Sequence, residues 1–554
     1  MRSQISLYGF SVKSKCCLFF MVLLCTGLNA QIDRNRKEEI NITSAFKPSI
    51  VRTGKIEFRA DAPAQDTSSY FFNYAQTPFS FKTLIGPLEV KPLAIRNENE
   101  SGNGTSLHAR LGYGNLQNPF ASLSYTSQES KKQFSLNLDH ISAKGSLKDQ
   151  QYGNSSISAR YRNMITNNQV VDFLAGYDFD QYKLYGYDQN SSTISSDQLR
   201  QNFHHVFGAI NYQQVGGNDG QFIIAPSLRF DYLITNRINN ESQLSFKMPL
   251  SFRFSSKIHF KSTIDVLTVQ HNGLNNNKHA KTLIQLPASL SFSGKDFILN
   301  GGVIPVLKHD KLGLLPEILA AYTFPETGLK IKAGIHNDLN INSMYRALQF
   351  NPFVLKMDSL TIFHEQQIYA GFDLHSVKGL QLSLKTGLST FRNPALFVNK
   401  GIFGNEFSFL NESLLTAIML EANLSYLFNN NLRFSSNLRG YSFQKQEVYD
   451  EAYGLLPLEL TFRLDWEPIK KLKSSFSTIL WSGTMTQAAN NVDVKLQDAA
   501  DISLGVEYEL NKKWALWIDL NNIANSRYQR WNQYPSFGFN FMAGVRLGLN
   551  KKDK

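Results

Sequence analysis

Between Phe537 and Leu549 the chain alternates without a break. The odd positions are Phe537, Phe539, Phe541, Ala543, Val545, Leu547 and Leu549, and the even ones are Gly538, Asn540, Met542, Gly544, Arg546 and Gly548. A strand sends successive side chains to opposite faces. One face of this segment is therefore an apolar strip, and the other is mostly small or polar. A soluble sheet also alternates, with its apolar face on a core, so length and repetition have to separate the two cases. At about 3.3 Å per residue and a tilt of about 45°, a strand of this length crosses a hydrocarbon layer of roughly 30 Å.

The pattern recurs. Leu458, Leu460, Phe462, Leu464 and Trp466 interleave with Glu459, Thr461, Arg463 and Asp465. Leu420, Ala422, Leu424, Tyr426 and Phe428 interleave with Glu421, Asn423 and Ser425, and Phe134, Leu136 and Leu138 with Ser135, Asn137 and Asp139. An apolar exterior and a polar interior in strand after strand imply an all-β fold, a transmembrane antiparallel β-barrel. A soluble array of β-sandwiches would need no repeated lipid-facing strip.

Connection lengths alternate along most of the chain. Tight turns are expected at 127–132, 163–169, 216–220, 255–257, 293–296, 325–328, 375–379, 429–431, 468–471 and 511–513. Longer polar loops are expected at 145–154, 185–200, 271–278, 337–364, 392–411, 444–455, 483–499 and 525–536. Outer-membrane barrels have short periplasmic turns and long external loops. The count is about 22 strands, within a range of about 14 to 24, and both chain ends fall on the periplasmic side. Tyr528, Trp531, Tyr534 and Phe537 suit an interfacial aromatic girdle, with loop packing as the alternative.

The net charge is +12 over 554 residues. The basic residues are dispersed through turns and one strand face, which argues against a nucleic-acid surface. Past the N-terminus no apolar run is long enough for a membrane helix. Residues 1–30 read as a cleaved secretory signal: Arg2, Lys13 and Lys15 precede an apolar stretch from Cys16 to Cys25, and small or polar residues lead to Ala30. Leu24 stands where lipidation of Cys25 would want a small residue. The three cysteines all lie in this signal, so a processed chain has no disulfide and no thiol ligand or nucleophile. Residues 31–105 are punctuated by Pro48, Pro63, Pro78, Pro87 and Pro92 and form a periplasmic or lumenal segment, while 106–554 form the barrel.

No catalytic, cofactor or metal site is expected. His204 and His205 are adjacent on a strand and face opposite sides. His271 and His279 flank an Asn-rich loop, and no His-Glu-x-x-His, nucleophile elbow or phosphate loop is present. The remaining functional hint is charge on the inward face: Lys257, Lys261, Asp265, Arg463, Asp465 and Arg546. Facing lipid, an Arg or Lys at mid-depth would cost roughly 2–4 kcal/mol. Inside, such residues can select solutes, or pair with one another or with the 31–105 segment, and pairing is the expected use for most of them.

Trp517-Ile-Asp-Leu-Asn-Asn-Ile-Ala-Asn-Ser-Arg-Tyr528-Gln-Arg-Trp531-Asn-Gln-Tyr534-Pro535, with the strand that follows, resembles the end of TonB-dependent receptor barrels of the kind found in Bacteroidota. Those often close with an Asn-Leu-x-Asn element, which here reads Asn522-Ile523-Ala524-Asn525. The resemblance implies an outer-membrane transport barrel. It also implies a folded N-terminal plug, for which the residues before 106 are too few, so the expectation is a relative lacking a full plug domain. The alternative is a non-transporting barrel that serves as the membrane subunit of an envelope complex. Expected partners are outer-membrane lipid and lipopolysaccharide, the outer-membrane assembly machinery and, under the alternative, periplasmic or surface protein subunits.

Overall fold

The structure is a computed structural model. It describes residues 104–552 apart from 189–193, 215–219, 238–239, 274–277, 309–310, 358, 376–378 and 402. The expected signal peptide and the 31–105 segment up to residue 103 lie outside the described residues.

The chain forms one antiparallel sheet closed on itself. The first strand, Gly104–Gly114, pairs with the last, Asn540–Lys552, from Gly104 opposite Lys552 to Gly114 opposite Met542. The sheet has 24 strand segments. Two strands are each split in two by a proline, Pro226 between Phe222–Ile224 and Ser227–Thr235, and Pro287 between Lys278–Gln285 and Ala288–Ser293. Subtracting these two interruptions from 24 leaves 22 barrel strands. Proline removes one ladder donor, but the carbonyls stay paired: Tyr212 donates to Pro226 at 2.8 Å and Thr263 to Pro287 at 2.9 Å.

Register turns the alternation of single strands into belts. Ile318, Ile335, Ile368, Leu388 and Ile418 stand opposite one another on five successive strands. They face outward, with Ile368 and Ile418 each 52% exposed. An apolar belt in register is a liability in water and a match for lipid tails. At the closing seam the inward faces of Gly112 and Gly544 carry the Trp517 ring, and a Cβ on Gly544 would run into this ring and the carbonyl of Leu111. Arg110 lies 3.9 Å above the same ring.

Eight of the ten expected tight turns are found, at the end of the barrel where Gly104 enters, while those at 216–220 and 375–379 fall largely outside the described residues. Local chemistry closes them. Asn429 accepts from the Asn431 N–H at 2.8 Å, and Asn511 from Lys513 and Trp514 at 2.9 and 3.0 Å. Gly328 and Gly379 supply left-handed φ of 68° and 82°. At the other end, among the described residues, the connection 115–119 is also as short as a turn.

Several of the longer outer connections pack into a lid, and the main hydrophobic core sits there. Helix Met344–Phe350 is followed by a strand, Val354–Lys356, parallel to Glu406–Asn411, which pairs in turn with Ala395–Lys400. Trp531 packs edge-on against Phe397 and Phe407 at 5.3 and 5.5 Å, and Tyr534 stacks on Phe353 at 3.7 Å. This core rests on Leu233, Val269, Leu283, Val306 and Ile341 of the barrel wall. It corrects the girdle reading: Tyr528, Trp531 and Tyr534 are 5%, 3% and 4% exposed and belong to loop packing. The last strand begins at Asn540, so Phe537 precedes it.

Candidate functional site

The inward charges expected from sequence fall in separate parts of the wall. Arg463 holds Asp465 with Nε at 2.9 Å from Oδ1, two residues along the same strand. Arg546 reaches Glu507 at 2.8 Å and Glu509 at 3.5 Å, and Lys473 meets Glu509 at 2.9 Å. Asp265 pairs with Lys247 at 3.2 Å across adjacent strands. Lys261 shares that inward face, is exposed, and has no ion pair among the described residues. Lys257 corrects the expectation. It occupies the turn 254–257, exposed at the rim, because the strand begins only at Ile258.

Register also assembles a row that single strands could not reveal. Lys385, Glu421, Arg439 and Glu459 stand directly opposite one another on four neighbouring strands, alternating in sign. Lys385 Nζ lies 3.7 Å from Glu421. On the same wall Lys332 meets Asp373 at 2.6 Å, and at the seam Arg110 meets Asp519 at 3.1 Å. Opposite charges facing across strands stabilise a ladder by roughly 0.2–1 kcal/mol a pair. Glu421 is visible in the sequence as a polar residue between apolar ones. Its neighbours in the row follow only once turn geometry has set the register.

The lid is fastened to this wall by a carboxylate. Glu241, 2% exposed, accepts from the backbone N–H of Met344 at 2.8 Å and of Tyr345 at 3.0 Å, the first residues of the lid helix. Gln243 donates to Glu241 at 2.9 Å and to the N-cap Ser343 at 2.8 Å. A carboxylate here satisfies orphan helix donors and complements the positive end of the helix dipole. His271 Nδ1 lies 3.3 Å from Glu241, with both side chains almost wholly buried. Tyr345 also packs on His205, 4.6 Å between ring centres. Sequence reading missed Glu241, since nothing local links it to a helix a hundred residues on.

A second carboxylate ties two outer loops together. Glu412, fully buried, accepts from the N–H groups of Leu414, Glu447, Val448 and Tyr449 at 2.9–3.2 Å. Burial opposes its charge, but the four donors prevail and hold its carboxyl below the ordinary range. Asp149 behaves alike: burial opposes ionisation, while bonds from Lys183 at 2.8 Å and Tyr187 at 3.0 Å lower its pKa.

His205 does point inward, to Asp178 and Asp231, and His204 outward, to Tyr177. His271 stands directly opposite His279 across the ladder. Among the described residues no group of three or more His, Cys, Asp or Glu is placed to hold a metal ion.

No family model and no curated protein matches the sequence. Solved structures do match. The ferric enterobactin receptor PfeA of Pseudomonas aeruginosa superposes with a TM-score of 0.60 at 11% identity, over 81% of this chain and 80% of that one. The FrpB iron transporter of Neisseria meningitidis gives 0.64 at 11% identity, over 81% and 82%. The copper transporter OprC gives 0.62 at 11% identity, over 81% and 83%. At such identity the likeness is one of fold, and it agrees with the TonB-dependent-receptor architecture that the C-terminal motif resembles.

Proposed function

We propose that the protein is an outer-membrane barrel that passes solutes across that membrane, with its packed outer loops as the gate. The observation that carries this reading is the alternating-charge wall inside a closed 22-strand barrel with an apolar exterior. A lumen walled in this way favours hydrated, polar cargo, and barrels of this width enclose room for it. That PfeA, FrpB and OprC are receptors and transporters of iron, an iron chelate and copper supports the same class of activity. In this reading the chain reaches the membrane through a cleaved signal at 1–30. Residues 31–105 serve as a plug remnant or a filler, and the barrel catalyses no reaction. The Asn522–Asn525 motif favours an origin in Bacteroidota. Lipopolysaccharide surrounds the outer half, and the assembly machinery inserts the barrel.

The packed lid favours a second reading, a non-transporting barrel that anchors periplasmic or surface subunits. Conductance in planar bilayers separates the two. Residues 31–554 would be compared with a form beginning near Asn103 and with a lid-broken form, Phe353→Ala with Tyr534→Ala. Large steps from the lid-broken form, with few from the intact chain, are expected for a gated transporter. Silence from all three forms, each confirmed folded, would transfer the case to the anchoring reading.

A further inference from the structure

We propose that one arc of the inner rim is a binding face for the headgroups of anionic phospholipids. The short turns differ sharply in chemistry around the barrel. Turn 470–471 presents Lys470 and Lys471, and turn 510–513 presents Lys512 and Lys513. Beyond the closing seam, turn 130–131 and the residue after it present Lys131 and Lys132. These are consecutive connections at that end, separated only by the point where the first and last strands meet. The neighbouring turns on either side carry no charge, with Asn430 and Asn431 beyond one end of the arc and Asn167 and Asn168 beyond the other. With strands about 4.8 Å apart, six strand intervals make the basic arc roughly 30 Å long.

All six lysines are exposed, and none forms an ion pair among the described residues. The acids near them are fewer. Glu129 is exposed, Glu467 is half-buried, and Glu509 is already held by Lys473 and Arg546. A lysine pair in a turn is by itself an ordinary solubilising choice. Two further features point to lipid. The arc lies at the membrane boundary, and large side chains project toward the lipid beside each turn. Trp466 and Ile469, 50% and 60% exposed, flank the first turn, Leu510 and Trp514 the second, and Phe134 the third. Rings and alkyl groups anchored at the interface, with ammonium groups just beyond, match the layered chemistry of tails and phosphates. Lysines near a charged leaflet attract anionic lipid by about 1 kcal/mol each, or about fivefold. A soluble acidic partner would have no use for the apolar flanks. Lipopolysaccharide would meet the opposite end, since short turns face the periplasm.

The test reconstitutes the full chain in phosphatidylethanolamine vesicles containing phosphatidylglycerol, extracts it gently, and measures the lipids that remain bound by native mass spectrometry. Phosphatidylglycerol is expected to be enriched over its share of the vesicle. Replacing all six lysines by glutamine is expected to lower the bound ratio by at least about fivefold. A control carrying Lys445→Gln, Lys495→Gln and Arg527→Gln, exposed cations at the outer end of the barrel, should leave the ratio unchanged. Matching protease resistance of all three proteins shows that each is folded. No enrichment, or equal enrichment in the six-lysine variant, overturns the proposal. If that variant keeps its lipid but loses binding to polyglutamate, the arc is a protein-docking face and the lipid assignment fails.

Discussion

Glu412 shows how a single side chain can organise loops that share no secondary structure. Its carboxylate gathers four backbone donors, one from the start of the barrel strand it precedes and three from the loop after the next strand, Leu432–Gln446. Glu412→Ala would strand those donors in a buried place, at a cost of about 3 kcal/mol. Hydrogen exchange at 447–449 should report it as faster opening. Because the folded pKa is depressed, the contribution is complete above the ordinary carboxylate pKa of about 4.3 and is lost as pH falls through the lower, folded value. Protection at 447–449, taken relative to intrinsic exchange at each pH, should therefore fall at acid pH in the native chain and show no such fall in Glu412→Gln. Asn522 is a comparable case. In a left-handed conformation with φ of 47°, its amide bonds the backbone of Ser526 and Phe537, while Asn525 accepts from Phe539 at 2.8 Å. The motif that suggested a family therefore has a plain structural task, which is to aim the final strand.

Among the elements, the lid helix is the one whose position rests on the wall. Ser343 caps it through Arg346 at 3.1 Å, and Glu241 grips its first two N–H groups. A helix of this length is marginal alone, so its anchor matters. Glu241→Ala should release it by about 2 kcal/mol, roughly thirtyfold in its opening equilibrium. Protease cleavage within 343–357 would show this, and unchanged cleavage would place the anchor elsewhere. This helix also marks where the sequence stopped being readable. Strands and short turns were legible because their rules are local: period two for the wall, and Asn, Ser and Gly for the reversals. The alternation placed Arg463, Asp465 and Arg546 on the inner face. The lid was not legible, because Trp531 and Tyr534 suit a membrane interface as well as a core. An aromatic body with one polar tip satisfies either setting, and only contacts from Phe353, Phe397 and Phe407 decide between them. Lys257 slipped for a smaller reason: it lies in the expected turn 255–257, where the alternation of a strand no longer sets the face of a side chain.

At the scale of the whole molecule the chain is joined twice, once at the seam of the ladder and once through packed outer loops. The second junction uses residues from far apart: Tyr534 bonds Asn405, which donates to Leu184 at 3.2 Å. Replacing 523–536 by a short turn should leave the strand ladder intact while exposing 343–360 and 393–413 to protease. Equal protection of those loops would show that the lid stands without its last piece. The lid's centre is supplied by the connection immediately before the strand that completes the ladder. During biogenesis this core therefore lacks its central aromatic residues until nearly the whole chain is present. The outer loops that come earlier in the chain thus complete their packing late in synthesis, when Trp531 and Tyr534 have arrived.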